Sequence, residues 1–74
     1  MIIVTGPQGT DDERGDVAEA AGLMGGTPSY SDAVRWATAT ALVCLDGWQC
    51  CPLAVADVTV ATSLGLAVRQ VGTS

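Results

Sequence analysis

Ala41-Leu42-Val43-Cys44-Leu45 is an unbroken apolar run that ends in Asp46-Gly47-Trp48, and after a short polar loop Pro52 opens a second apolar stretch reaching Gly65. This pair of segments constrains the fold more than any other feature of the chain. The first run reads as a strand buried on both faces, which belongs to parallel sheets covered by helices on each side. Asp46-Gly47 reads as the turn that closes it. The second stretch is longer than a strand and has proline at its start and glycine just past its end, as helices prefer. Length decides for a helix although Val55, Val58, Thr59, Val60 and Thr62 favour strands by propensity. On that helix Leu53, Asp57, Val60 and Leu64 share one face, with Ala54, Val58, Ala61 and Gly65 beside it. Val55, Thr59 and Thr62 are left for solvent, so the helix is expected to be mostly buried.

The remainder of the chain supplies matching elements. Met1 to Thr5 is a β-branched run stopped by Gly6-Pro7, a second buried strand. After the loop Gly6-Pro7-Gln8-Gly9-Thr10, a helix is expected from Asp11 to about Ala21, with acids in its first turn and Gly22 ending it. Gly25-Gly26-Thr27-Pro28 is a break, after which Ser29 or Ser31 can cap a further helix to about Thr38, with Trp36 as a packing residue. Leu66 to Val71 reads as a last strand, followed by a frayed Gly72-Thr73-Ser74 tail. Strand, helix, helix, strand, helix, strand implies parallel pairing through right-handed crossovers. The expected class is α/β: one domain over residues 1–74, a minimal Rossmann-like or flavodoxin-like three-layer unit with a short parallel sheet of about three strands.

At 74 residues such a domain buries only about 60% of the surface its unfolded chain exposes. With 49% hydrophobic against 15% charged residues it carries more apolar surface than a small monomer hides, which points to a homo-oligomer. The net charge is −5 with neither lysine nor histidine, so there is no basic stripe for polymeric nucleic acid. The usual general base and metal ligand is absent, and acid or base work falls to carboxylates, Tyr30 or a cysteine. Cys44, Cys50 and Cys51 have the spacing of neither a disulfide framework nor a zinc site, and no metal or cofactor is expected. Reduced thiols are the plain reading; a nucleophile at Cys50 or Cys51 is the alternative, because a helix N-terminus at Pro52 lowers a thiol's pKa. Met1-Ile2-Ile3-Val4 is too short for a signal peptide, and no run approaches the roughly 20 apolar residues that span a bilayer. A cytoplasmic protein without a membrane partner is expected.

Ligands of open α/β sheets bind beyond the carboxyl ends of the strands. Gly6-Pro7-Gln8-Gly9-Thr10 and Asp46-Gly47-Trp48 both fall there and are expected to meet over one crevice. Asp46 and Asp57 would bring two carboxyls to it, the arrangement in which one acid stays ionised while burial keeps the other protonated. Each feature also has a purely structural reading: Asp46-Gly47 as a turn, Asp57 as a solvated helix acid, Trp48 as a cover for the core. The glycine-rich loop lacks the lysine of a P-loop and the three-glycine spacing of a dinucleotide fingerprint.

Val4-Thr5-Gly6-Pro7, then Ala41 to Trp48, then a helix with an acid in its second turn and Leu64-Gly65-Leu66-Ala67-Val68 after it, resemble the nucleoside 2-deoxyribosyltransferase-like superfamily, most of all its small members common in phage genomes. The resemblance covers the first ten residues and roughly the last forty. It implies that the acid at Asp57 attacks the anomeric carbon of a deoxyribose and that Asp46 handles the leaving base. The Gly6-Pro7 loop would touch the sugar or its phosphate, and Gly47-Trp48 would line the pocket, with Trp48 stacking on a base. The chain departs from the family pattern at Asp57, where a glutamate is usual, at Leu53 for a glycine, at Ile3 for a tyrosine, and in lacking the usual second strand. Misplacing a nucleophile by an ångström costs on the order of a hundredfold in rate. Three functions follow: a transferase or N-glycosidase acting on deoxynucleosides or their monophosphates, an inactive nucleotide-binding protein, or an oligomeric interaction protein.

Overall fold

The computed structural model describes residues 1–32 and 34–71. Four parallel strands, β1 (Ile2–Thr5), β2 (Thr27–Pro28), β3 (Ala41–Leu45) and β4 (Ala67–Val71), form one sheet in the order β2-β1-β3-β4. Helix α1 (Asp11–Met24) and helix α2 (Pro52–Ser63) cover opposite faces. This is the expected minimal Rossmann-like, flavodoxin-like three-layer unit, with one strand more than expected.

The alternation of side chains along β1 and β3 divides the core. Ile3, Leu42 and Cys44 pack with Ala61 of α2, while Val4 and Val43 pack with Val17 and Ala21 of α1. Successive strand residues point to opposite faces, so Thr5, two residues beyond Ile3, belongs to the α2 face. It is fully buried.

Three expectations are corrected. The second strand is present: Ile3 and Val4 pair with Thr27 and Pro28, and the Ser29 N–H extends the ladder to the Val4 carbonyl at 2.8 Å. A proline at the outer edge of the sheet gives up no ladder bond, which is why this two-residue strand is hidden in a turn-like sequence. Secondly, no regular α-helix follows it among the described residues. Ser29 to Asp32 turns, Arg35 is extended, and only the single 3-10 turn Trp36–Thr38 forms before β3. Pairing of Thr27-Pro28 with β1 draws this segment across the sheet edge, and Trp36 still packs on the core.

Thirdly, the buried stripe of α2 is Ala54, Val58 and Ala61, while Leu53, Val60 and Leu64 are 58%, 41% and 53% exposed. Both stripes have helical spacing; the one with small residues lets the helix axis approach the sheet. Asp57 lies between the two stripes and keeps its inward face.

Helix α1 runs past Gly22 to Met24, because the stop is Gly25 in the left-handed region at φ 68°. The Gly26 N–H donates to the Ala21 carbonyl and the Gly25 N–H to that of Gly22, the usual closure of a helix by glycine. Gly26 is also required by contact, since a Cβ there would stand 2.8 Å from the Ile2 carbonyl oxygen. The Gly72-Thr73-Ser74 tail lies outside the described residues. Among the described residues no helix is long and apolar enough to cross a membrane.

Candidate active site

Thr5 ends β1 and Cys44 is its register partner on β3, so the two side chains lie together under α2 at the carboxyl end of the sheet. Asp57, on the second turn of α2, reaches down to them. The Thr5 hydroxyl donates to Asp57 Oδ2 at 2.8 Å, and Gln8 Nε2 approaches the same oxygen at 3.4 Å. Gln8 is itself buried, and its amide also donates to Thr5 Oγ1, the Gly6 carbonyl and Ser29 Oγ, each at 3.3 Å. Asp57 Oδ1 receives no hydrogen bond from a described residue. Burial, and secondly the Asp57 carboxylate, push the Cys44 thiol up to about 11. Cys44 is therefore a packing residue that stays protonated.

The two loops meet as expected. A Cβ on Gly47 would stand 3.3 Å from the Pro7 ring, and one on Gly6 would stand 2.8 Å from Leu45 Cβ, so glycine at both positions permits the approach. Gly47 also has φ 86°, the left-handed conformation its turn needs. Between the loops lies a hollow of about 400 Å³ lined by Pro7, Gly9, Glu13, Gly47, Cys51 and Pro52, with Cys50 at its rim. A second, of about 350 Å³, lies across Pro7 and Glu13 from it, against Asp16, Val17, Leu45, Asp46 and Val71.

The expected site residues divide between these places. Pro7, Gly9 and Gly47 line the first hollow, and Gln8 sits beneath them holding Asp57. Gly6 is buried and turns the chain. Thr10 caps α1, its hydroxyl accepting the Glu13 N–H at 3.1 Å. Asp46 is exposed and borders the second hollow and a smaller one of about 90 Å³ shared with Trp48, Gln49 and Gln70. Asp57 lines none of these three hollows, so it shares none with Asp46. Trp48 packs on the cluster of Ile3, Leu42, Cys44 and Ala61, away from the first hollow, with its indole N–H buried and unpartnered among the described residues.

Thr5, Ser29 and Glu13 were not among the expected site residues, Ser29 being expected as a helix cap. Thr5 had a readable signal: it is a polar residue that ends a buried strand in phase with Ile3. Ser29 and Glu13 had none, because their places depend on β2 and on the packing of α1.

Cys51 immediately precedes α2, with Pro52 in the first helical position. Backbone N–H groups of Ala54 and Gln8, then Leu53, hold its thiol below the usual range. All three cysteines are free thiols. Among the described residues no three cysteine or carboxylate side chains stand close enough to hold a metal ion.

No protein-family model, no curated protein and no solved structure matches this chain.

Proposed function

We propose that this chain binds a 2′-deoxynucleoside or its monophosphate over the carboxyl ends of β1 and β3 and cleaves or exchanges its glycosidic bond, with Asp57 as nucleophile. The observation that carries the reading is the asymmetric anchoring of Asp57. One carboxylate oxygen is fixed by Thr5 at 2.8 Å, and the other takes no hydrogen bond from the described residues. A nucleophile needs this combination, a fixed orientation with an uncommitted lone pair.

In this reaction a carboxylate oxygen of Asp57 bonds to C1′ while the C1′–N bond breaks and its electron pair leaves with the base, which takes up a proton. Water or a second base then displaces the carboxylate. Gln8 and Thr5 orient the nucleophile. Pro7, Gly9 and Gly47 form the walls against which the sugar rests. The resemblance assigns protonation of the base to Asp46. Its exposed position beside Val71, apart from Asp57, favours a second reading in which the pocket holds a nucleotide without cleaving it. In both readings the chain acts as a homo-oligomer, supported by the exposed Leu53, Val60 and Leu64 of α2.

Incubation with each of the 2′-deoxynucleosides and their monophosphates, followed by chromatography, tests the proposal. Release of free base, or exchange with a second base, is expected, and Asp57→Ala should lower it by at least about a hundredfold. Saturable binding with no base released would select the second reading. Absence of both binding and release would overturn the two together.

A further inference from the structure

The electrostatics of the crevice go further than the fold and decide between neutral and phosphorylated ligands. Glu13 borders both large hollows, Asp16 and Asp46 border the second, and Asp57 lies at the strand ends beneath. No arginine lines any of the three hollows. Arg14, the basic residue nearest in sequence to the loop, is ion-paired with Asp11 and donates to the Gln8 carbonyl at 3.4 Å. The terminal ammonium group lies at the opposite end of the sheet, donating to the Thr38 carbonyl, and the Arg35 backbone N–H contacts Met1 Sδ beside it. Arg69 is in the middle of β4, paired in register with Val43.

Helix N-termini are the other common phosphate holders, and two point toward this end of the sheet. The first is taken. At α1 the Thr10 hydroxyl accepts the Glu13 N–H, and Asp11, Asp12 and Glu13 fill the first turn with carboxylates that already answer the helix dipole. At α2 the Ala54 and Leu53 N–H groups lower the Cys51 thiol's pKa, but Cys51 makes no side-chain cap hydrogen bond. A phosphate entering here would find carboxylates around it and no arginine lining the hollows.

We infer that the crevice selects uncharged nucleosides and rejects their 5′-monophosphates, with Glu13, Asp16 and Asp46 as the excluding charges. This inference rests on the nucleoside-or-nucleotide reading above and narrows it. It narrows the part that the resemblance gives to the Gly6-Pro7 loop, which on this account touches sugar but not phosphate.

The test is calorimetric titration of the full chain with 2′-deoxyadenosine and, in parallel, 2′-deoxyadenosine 5′-monophosphate, repeated with the thymine pair. The nucleoside should bind at least about tenfold more tightly at low ionic strength, equivalent to about 1.4 kcal/mol. The difference should shrink as salt is raised from about 0.01 M to 1 M, because the Debye length falls from about 30 to 3 Å. Glu13→Gln, which can still serve the helix terminus, should narrow the difference at low salt. A monophosphate that binds as tightly as the nucleoside, or a difference indifferent to both salt and Glu13→Gln, would overturn charge selection while leaving the nucleotide reading in place. If neither member of either pair binds, that reading is overturned and the selection with it.

Discussion

A single threonine connects the strand register to the chemistry. Thr5 follows Ile3 by one full strand period, which turns its hydroxyl to the α2 face, and the only ionisable group of α2 stands there to receive it. The same placement separates the cysteines. Cys44, fully buried beside Asp57, is raised from its ordinary value of 9.0 to about 11, whereas the backbone N–H groups of Ala54 and Gln8 lower Cys51. Between these pH limits the folded state keeps a proton on Cys44 that the unfolded chain has released. Stability therefore falls as pH rises from about 9 to about 11, by up to about 1.4 kcal/mol per pH unit from this group. Urea titrations across that range should show the decline, and Cys44→Ala should flatten it while lowering stability at neutral pH. Alkylation by iodoacetamide followed by peptide mass mapping should find Cys51 modified at neutral pH and Cys44 protected until the protein unfolds. Early labelling of Cys44 in the folded protein would show that the burial and proton affinity assigned to it are wrong.

At the scale of elements, glycines of one helix and its exit carry opposite constraints. Gly15 and Gly22 lie within α1 with nothing within 4 Å of an added Cβ, so their replacement by alanine relieves the helix of its most flexible residues. Each substitution should stabilise by about 0.5–1 kcal/mol. Gly26→Ala should destabilise by about 1–3 kcal/mol, because its Cβ must displace the Ile2 carbonyl that β2 packs against. Chemical denaturation of the three variants reads both signs, and a neutral Gly26→Ala would contradict the close approach of Gly26, at the entry to β2, to the Ile2 carbonyl. The same elements show what could be read from the chain. β1, β3 and α2 were legible because an apolar run between turn residues, or a stretch between proline and glycine, is a local signal. β2 was not, since Thr27-Pro28 becomes a strand only by lying against Ile3 and Val4. The buried face of α2 was also hidden: leucine and valine outrank alanine in hydrophobicity, yet Ala54 and Ala61 are inside because the helix lies close to the sheet. The inward placement of Asp57 survived this rotation, being near the boundary of both stripes, and so did the meeting of the two loops. The joining of Asp46 to Asp57 did not, because the Asp46-Gly47 turn directs the carboxyl toward β4 and Val71.

Across the whole molecule, charge and apolar surface are segregated. Carboxylates gather at the carboxyl end of the strands, and, apart from Met1, Leu23 and Tyr30, the exposed large hydrophobic side chains lie along α2 and the outer strand. All five residues of β4 are exposed, with Val68 37% and Val71 45% accessible, and Leu64 of the preceding helix 53% accessible. One side of β4 pairs with β3, and among the described residues the other side has no strand beside it. An open edge bordered by aliphatic side chains is a template for association. A second copy placed along this edge would continue the sheet and cover Val68, Val71 and Leu64 together, which is the arrangement expected of the homo-oligomer. Light scattering should therefore report a mass that rises with concentration above the 7.5 kDa of one chain. Val68→Lys and Leu64→Lys should each shift the protein toward the monomer, because a charge set into a desolvated contact costs several times what it costs in water. Both positions are exposed in the single chain, so circular dichroism should be unchanged at concentrations where the variants are monomeric. A monomer at every concentration in the unsubstituted protein would remove the oligomer and leave β4 as an edge protected only by Arg69. The active-site proposal would then stand on one chain, because every residue that anchors Asp57 comes from the same copy.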